Sequence, residues 1–468
     1  MSSELIRLTD LAKNQYGLTD FYLGNHGDLR LNDNVAEIYK AMSEKQIVNI
    51  RLLAGKDRAT EVRMGRTMSN ENINIDLISS ELVKKTNLNC EQVHHVIVPQ
   101  DTVENTYINQ AIKKADFGYT TNTDTKGFFL HSGIVKDARD GRILGPGPSI
   151  VWHRDPIFDS NIIKDPERTT EEKESNKWTL FANELNKELT NPKLITIVGD
   201  RESDNYEYFK NVIENHMYFI SRAKSDRILT SDMKLSEQLV RTIKSYIETI
   251  YLPVTRERKV ARYAEFEIKY CQIKIPNPND KEDILTLYCV QALEIGEIPK
   301  GEERVSWVLL TSHQVRTRKK ALKILGWYSE RWVVEDAHRI MKKQGMDIEN
   351  SQIETPQSLM LLSILCYSVA VKIMAIVLSR DGNEQKASDH FTEDELKNLD
   401  ILNERFSGRT EKQCNQHKSQ TMGWAAWVIA KCGGWTCYGH KPGPIIMSRG
   451  YKEFQTLHKE YCYYVNTA

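Results

Sequence analysis

The feature that most constrains this chain is a change in the period of its apolar residues near position 95. Before it, they recur three or four positions apart, as in amphipathic helices. After it come short β-rich runs bounded by Gly, Pro or Asp, at residues 95–99, 127–131, 143–152, 194–198, 217–221 and 305–311. A helical stretch with Tyr206, Phe209 and Val212 on one face separates two of these runs. The order of strands and helices predicts an α/β core.

Composition limits the class of protein without indicating a partner. The 468 residues carry 64 Lys and Arg against 64 Asp and Glu, so net charge gives no argument for nucleic acid. The charged fraction of 27% and the hydrophobic fraction of 40% exclude a mainly disordered or collagen-like chain. Eight cysteines without a C-x-x-C pair predict reduced thiols rather than a cysteine-based zinc site.

Two segments bear on location. The N-terminus lacks the continuous apolar stretch of a signal peptide, which predicts a cytoplasmic protein. Residues 359–378 are apolar enough to raise the question of a membrane span, but Ser363, Ser368 and Lys372 interrupt them. We therefore expect a buried helix at these residues and no membrane partner.

The first 88 residues show a helical pattern that begins with Leu5, Leu8 and Leu11 and continues through Val35 and Ile38. Basic residues are spread along it. They fit either the solvated face of a small helical bundle or a module that contacts DNA. The pattern itself leaves both interpretations open.

Two aspartates directly follow β-rich runs, Asp101 after the first and Asp200 after the run at 194–198. Carboxylates at strand ends point into the cleft outside a sheet, where ligands and metal ions bind. A single such Asp is more often a turn former or a helix cap. Two of them in one α/β core form a candidate catalytic pair.

A third candidate element is the set Tyr328, Arg331, Glu335 and Lys342. On one continuous helix these four residues fall within about 60° of one another, because each residue turns the helix by about 100°. An exposed stripe of i,i+4 ion pairs would explain the charges but not the aromatic residue beside them. Three acidic groups, Asp101, Asp200 and Glu335, could hold two Mg²⁺ or Mn²⁺ ions for phosphodiester chemistry.

The chain resembles the DDE transposases of the IS-four group, from its N-terminal helices to its last fifty residues. The residues that carry the resemblance are V-P-Q-Asp101-T, I-V-G-Asp200-Arg201-E-x-D, the strand around Trp307, and the signature Y-x-x-R-x-x-x-E-x-x-x-x-x-x-K, met by Tyr328, Arg331, Glu335 and Lys342. Each Asp motif is weak by itself. The spaced tetrad together with both Asp motifs in order is specific.

The resemblance implies a fold. It is an RNase H-like catalytic core with a mostly β insertion, flanked by an N-terminal helical DNA-binding domain and a C-terminal helical dimerisation domain. The implied ranges are 1–85, 86–378 with the insertion at about 227–303, and 379–468. The implied metal ligands are Asp101, Asp200 and Glu335, with two Mg²⁺ or Mn²⁺ ions as cofactors.

The resemblance also implies an activity. A homodimer would bind double-stranded DNA at two transposon ends, cleave both strands through a 3′-OH and hairpin route, and transfer the 3′ ends to target DNA. Tyr328, Arg331 and Lys342 would contact phosphates, and Trp307 would stack on a flipped base. Arg222, and more weakly Arg201, would bind DNA near that base. The protein would act in the bacterial cytoplasm, at the nucleoid when bound.

Three alternatives remain at this point. An RNase H-like nuclease or resolvase would explain the acidic trio but not Tyr328, Lys342 or Trp307. A non-catalytic, transposase-derived DNA-binding inhibitor would normally have lost a ligand, and none is missing. A zinc site built from His94, His95, His131 and His153 is disfavoured because adjacent strand residues face opposite ways. The role of Glu104, just after the first Asp, is not assigned by the resemblance.

Overall fold

The computed structural model describes residues 21–107, 116–121, 125–155, 174–252, 258, 260–382 and 385–467. The pattern of Leu5, Leu8 and Leu11 lies outside the described residues. The chain divides into two compact units. The first unit consists of Met1–Gln92, Thr102–Ile162 and Val333–Ala468, and the second of Val93–Asp101 and Ile163–Trp332.

Helices occupy both ends of the described chain, and its strands lie between them. The helices are α1 (Leu29–Lys45), α2 (Ile50–Leu53), α3 (Arg58–Met68), α4 (Ile75–Leu88), α5 (Lys177–Glu188), α6 (Tyr206–Glu214), α7 (Leu235–Arg241), α8 (Arg318–Ser329), α9 (Trp332–Arg339), α10 (Pro356–Ser379), α11 (Glu393–Phe406), α12 (Met422–Cys432) and α13 (Pro444–Thr467). The strands are β1 (His95–Thr106), β2 (Gly127–Asp137), β3 (Ile143–Trp152), β4 (Leu194–Gly199), β5 (Tyr218–Arg222), β6 (Ser245–Leu252), β7 (Arg262–Pro276), β8 (Ile284–Glu294) and β9 (Ser306–Thr311).

The second unit contains a large mixed sheet with the strand order β1-β4-β5-β9-β8-β7-β6. Strands β1, β4 and β5 run parallel, and the remaining neighbours are antiparallel. The α/β prediction is confirmed, because helices α5 and α6 alternate with the sheet's parallel strands in sequence. The segment predicted to be β-rich supplies β6, β7 and β8, which extend this same sheet rather than forming a separate one.

Among the described residues, the first unit begins with helices α1 to α4 and ends with helices α9 to α13. Each of α1 to α4 starts where a side-chain oxygen accepts a hydrogen bond from a backbone N–H of the first turn, at Asp28, Asn49, Asp57 and Asn74. The described part of the N-terminal region is therefore helical, as its spacing predicts. Strands β2 and β3 form an antiparallel hairpin in this unit, and β1, which enters it at Thr102, lies beside β2.

Helix α10 forms the centre of the first unit's core. It packs with residues of α1, α4, α12 and α13 in one hydrophobic cluster, and Leu359, Ile364 and Ile373 are fully buried. The helix is long and apolar enough to cross a membrane, and 89% of its most apolar window is buried inside the protein. The prediction of a buried helix is confirmed. Among the described residues, no other helix is long and apolar enough to cross a membrane.

Candidate active site

The two predicted aspartates lie at equivalent positions on neighbouring parallel strands. The ladder between β1 and β4 runs to Pro99 opposite Val198, and Asp101 and Asp200 each follow that pair by two residues. Because neighbouring strands lie about 4.8 Å apart, the two side chains start from adjacent positions. The strand-end prediction holds for Asp200. It is wrong for Asp101, since β1 continues to Thr106 and keeps this aspartate inside a strand.

Asp200 is held by a short hydrogen-bond network. Its Oδ1 accepts a bond from the N–H of Glu202 at 2.8 Å, as the cap of the 3₁₀ turn that follows β4. Its carbonyl accepts from the hydroxyl of Ser203 at 2.7 Å, and Ser203 also contacts the hydroxyl of Ser221 at 2.7 Å. A Cβ at Gly199 would lie 2.4 Å from the Ser203 hydroxyl, so only glycine fits there. The backbone before and after Asp200 is fixed.

Asp101 is paired with the arginine of the signature. Nη1 of Arg331 lies 3.4 Å from Oδ2 of Asp101, and the Arg331 residue is 8% exposed. The guanidinium also lies 4.8 Å from the ring centre of Trp332. The cation predicted to contact a phosphate therefore neutralises one of the predicted metal ligands.

The prediction that Tyr328, Arg331, Glu335 and Lys342 share one face of one helix is wrong. Tyr328 lies at the end of α8, and the chain then turns at Glu330 and Arg331. The N–H of Arg331 donates to the carbonyl of Tyr328 at 3.1 Å, an i→i+3 bond that tightens the turn. Glu335 lies in the first turn of α9 and Lys342 in a π-helical segment that follows it. A constant rotation of 100° per residue does not apply across these breaks.

Lys342 is held by two acceptors in the first unit. Its Nζ donates to the backbone carbonyl of Glu104 at 2.7 Å and lies 2.8 Å from Oε1 of Glu349. The side chain of Glu104 accepts a bond from the hydroxyl of Thr121. The unassigned residue Glu104 thus contacts the signature lysine through its backbone, and its carboxylate is bound elsewhere.

Trp307, Tyr328 and Arg222 belong to one region of the second unit. The rings of Trp307 and Tyr328 meet edge to face, with 5.7 Å between their centres, and Tyr328 is 3% exposed. Nη2 of Arg222 donates to the carbonyl of Ser306 at 2.9 Å. The structure brings these three predicted DNA-contacting residues together. Trp307 remains half-buried, as does Arg222.

The motif after Asp200 divides into an exposed and a buried part. Arg201 is exposed, which leaves its guanidinium accessible to a ligand. Asp204, from the same motif, has a fully buried side chain, pairs with Arg227 and accepts a bond from the N–H of Lys224 at 2.7 Å. Asp204 therefore has a structural role.

The carboxylates fit a hard divalent cation by chemistry. Asp101 and Asp200 supply carboxylate oxygens from neighbouring parallel segments of the mixed sheet, and Glu335 is half-buried in the first turn of α9. In the part of the chain that the structure describes, no three His, Cys, Asp or Glu side chains form a group that could hold a metal ion.

Three of the histidines that were candidates for a zinc site form hydrogen bonds with hydroxyl groups or with the backbone. His95 lies 2.8 Å from the hydroxyl of Thr196, and His131 lies 2.9 Å from that of Thr102. His153 contacts the next residue's carbonyl. Burial lowers the pKa of His95 to about 4, which keeps its imidazole neutral. These contacts favour the structural interpretation.

Residues 170–371 match the family model described as the transposase DDE domain. This match supports the interpretation of the chain as a DDE transposase. The matched segment contains Asp200, Glu335 and the signature residues Tyr328, Arg331 and Lys342, while Asp101 precedes it. A transposase binds DNA, and DDE domains generally use divalent metal ions. DNA and a divalent metal are therefore the partner and cofactor that the family implies.

Several supporting residues are not evident from the sequence. Ser203 and Ser221 hold Asp200, and Glu349 holds Lys342. Serine near a strand end is common, so the first two carry no signal. Glu349 is a carboxylate seven residues after the signature lysine, but spacing does not show that the chain folds back between them.

Proposed function

We propose that this chain is a cut-and-paste DNA transposase of the IS-four group, similar to the transposase of transposon five. The observation that carries the proposal is the placement of Asp101 and Asp200 at equivalent positions of two parallel strands, with Asp200 inside the segment that matches the transposase DDE domain. The signature tetrad supports it, because the same segment contains all four residues.

The proposed catalytic core is RNase H-like. The strand order within the second unit supports this, since β1, β4 and β5 are parallel neighbours. We further propose that the N-terminal helices bind the terminal repeats and that the C-terminal helices dimerise. A homodimer would then hold two transposon ends in the bacterial cytoplasm, at the nucleoid when bound to DNA.

The proposed roles of the side chains follow from their chemistry. Asp101, Asp200 and Glu335 would hold two Mg²⁺ or Mn²⁺ ions, which when bound activate an attacking oxygen and stabilise a departing one. Arg331 can bind a phosphate through two parallel hydrogen bonds, and Lys342 acts as a point charge. These groups would hold the scissile phosphate between the nucleophile and the leaving oxygen.

A second set of residues would hold the distorted DNA end. Trp307 presents an aromatic surface on which a flipped base can stack, and Tyr328 supports its ring edge to face. Arg222 donates a hydrogen bond to the carbonyl of Ser306, the residue that precedes this tryptophan. From this position its guanidinium can bind a neighbouring phosphate. Arg201 is exposed beside Asp200 and can contact the same strand.

The proposed reaction is a series of phosphoryl transfers. Water first releases a 3′-OH at the transposon end, and this 3′-OH attacks the opposite strand and forms a hairpin. Water then opens the hairpin, and the 3′-OH finally attacks target DNA. The reaction products separate this proposal from a nuclease or resolvase, which would leave only nicks.

The experiment that tests the proposal incubates the purified protein and Mg²⁺ with a linear duplex carrying the terminal repeats that flank its gene and with a supercoiled target plasmid. We expect hairpin ends on a denaturing gel and joined products in the plasmid. Nicks without hairpins or joined products would favour a nuclease. End binding without any cleavage would favour a transposase-derived inhibitor.

A further inference from the structure

One carboxylate oxygen joins the signature lysine to the catalytic strand. Oε1 of Glu349 accepts bonds from the backbone N–H and the hydroxyl of Thr106, each at 2.9 Å, and lies 2.8 Å from Nζ of Lys342. Thr106 is the last residue of β1, five positions after Asp101. Thr106, Lys342 and Glu349 all belong to the first unit, whereas Asp101 is the last residue of β1 in the second unit.

The backbone between Lys342 and Glu349 is shaped to make this contact. Lys342 lies in the π-helical segment Ile340–Gln344, and π-helical turns are rare and often occur at functional sites. Asp347 then adopts a left-handed conformation with φ of 54°, and a 3₁₀ turn over Ile348–Asn350 returns Glu349 to strand β1. The side chain of Asp347 accepts a bond from Asn350 at 2.7 Å, which stabilises the reversal.

We propose that Glu349 is a positioning residue that fixes the ammonium group of Lys342 for DNA phosphate. This inference rests on the proposed function. Glu349 is 19% exposed and Lys342 21%, so both charges are largely removed from water and need each other. Thr106 in turn fixes the carboxylate through two hydrogen bonds, so the position of the lysine is set from the catalytic strand itself.

The hydrogen-bond capacity of the ammonium group supports a phosphate as the third partner. A lysine ammonium has three donors. Within the described residues, one donor goes to the carbonyl of Glu104 and one to Glu349. The third can therefore reach a phosphate oxygen without breaking either contact. Glu349 holds the side chain in one conformation, so less conformational freedom is lost when DNA binds.

The test is a double-mutant cycle on DNA binding in EDTA, where no cleavage occurs. It compares wild type, Glu349→Ala, Lys342→Ala and the double variant on a duplex carrying the flanking terminal repeats, at several salt concentrations. We expect Lys342→Ala to lower the slope of log affinity against log salt by about one, as for one lost phosphate contact. Glu349→Ala should weaken binding about three- to tenfold in the wild-type background and less than twofold in the Lys342→Ala background, because its effect passes through the lysine.

A matched control and a second variant keep the result interpretable. Glu354→Ala removes the same charge from an exposed position five residues away, and we expect affinity within twofold of wild type. If Glu349→Ala does not fold, Glu349→Gln keeps the side chain's size while removing its charge and should show the same coupling to Lys342. Thermal unfolding of each variant shows whether it is folded.

Two results would overturn the inference. Additive effects of the two substitutions would show that Glu349 acts on stability or on other contacts. Tighter DNA binding by Glu349→Ala than by Glu354→Ala would show that the carboxylate repels DNA. A separate measurement distinguishes failure of this inference from failure of the proposed function. If the proposed function is wrong, wild type will not cleave the same duplex in Mg²⁺.

Discussion

The guanidinium of Arg331 lies 3.4 Å from a carboxylate oxygen of Asp101, so a signature cation and a predicted metal ligand form an ion pair. Both groups are partly withdrawn from water, with side-chain exposures of 9% and 20%. If Asp101 holds a divalent cation as proposed, that cation and the guanidinium would compete for the same oxygen. Under the same proposal, a DNA phosphate that binds Arg331 would release Asp101 to the metal ion, which would couple metal binding to DNA binding.

This competition predicts the effect of removing the arginine charge. Arg331→Gln should bind Mn²⁺ about three- to tenfold more tightly than wild type without DNA, because one unit of positive charge is removed from within about 4 Å of the ligand. Electron paramagnetic resonance of free Mn²⁺ measures the affinity. Arg139→Gln, at an exposed arginine of the β2–β3 hairpin, serves as the control and should match wild type. Equal or weaker Mn²⁺ binding by Arg331→Gln would rule out the competition.

A second prediction concerns the glycine before Asp200. The Cβ of Gly199→Ala would lie 2.4 Å from the hydroxyl and 2.7 Å from the Cβ of Ser203, so the turn that holds Asp200 must shift. We expect a loss of about 1–3 kcal/mol in the free energy of unfolding. Gly326→Ala is the matched control, because nothing lies within 4 Å of its Cβ in α8 and alanine favours a helix. Urea denaturation compares the two, and equal stability would contradict the account.

A third prediction concerns a buried carboxylate in the first unit's core, that of Glu395, which is 8% exposed. Lys372 of α10 interacts electrostatically with Glu395 of α11, and its Nζ lies 5.1 Å from the ring centre of Tyr451. Glu395→Ala should lower the free energy of unfolding by about 1–3 kcal/mol, because the Thr392 N–H and the Gln455 side chain both donate to this carboxylate and would lose their acceptor. Glu393→Ala, at an 87% exposed position of the same helix, should change it by about 0.5 kcal/mol or less. Thermal or urea unfolding that shows equal losses would contradict this assignment.

A fourth prediction is a pH dependence of stability. Burial lowers the pKa of His313 to about 3, and the ring lies 2.8 Å from the Thr196 hydroxyl and stacks on Tyr218. Below an unfolded pKa of about 6.5 the unfolded state binds a proton that the folded state refuses, so stability falls as pH falls from about 6.5 toward 3. Between about pH 7 and pH 5, this histidine should lower the free energy of unfolding by about 1–2 kcal/mol.

The measurement for this prediction is urea unfolding of wild type and His313→Gln at both pH values. Other buried histidines, including His338, titrate in the same direction, so the difference between the two proteins isolates His313. The wild-type loss should exceed that of the variant. The same loss in both proteins would show that His313 does not carry this dependence.

Local patterns in the sequence predicted much of the fold. The β-rich runs appear as β1, β2, β3, β4, β5 and β9, because their apolar, β-branched composition and their Gly, Pro or Asp boundaries are local signals. The burial of α10 was also predictable from Ser363, Ser368 and Lys372. By contrast, the addition of β6, β7 and β8 to the same sheet depends on pairing between distant residues, which no local pattern reports.

The sequence indicates candidate site residues, but the geometry around them was not predictable from it. Asp101 and Asp200 follow matched strand segments, so their adjacency follows from topology. The break between Tyr328 and Glu335 has no Gly or Pro to mark it and depends instead on tertiary contacts such as that of Arg331 with Asp101. The partner of Lys342 was missed for the same reason.

The measurement that tests the central claim most directly is metal-dependent cleavage by single-carboxylate variants. Wild type, Asp101→Ala, Asp200→Ala and Glu335→Ala are incubated with the labelled terminal-repeat duplex in Mg²⁺ or EDTA, and the products are resolved on a denaturing gel beside a binding assay. We expect nicks and hairpins for wild type in Mg²⁺ only, and end binding without cleavage for each variant. Cleavage retained by the three variants, or by wild type in EDTA, would contradict it.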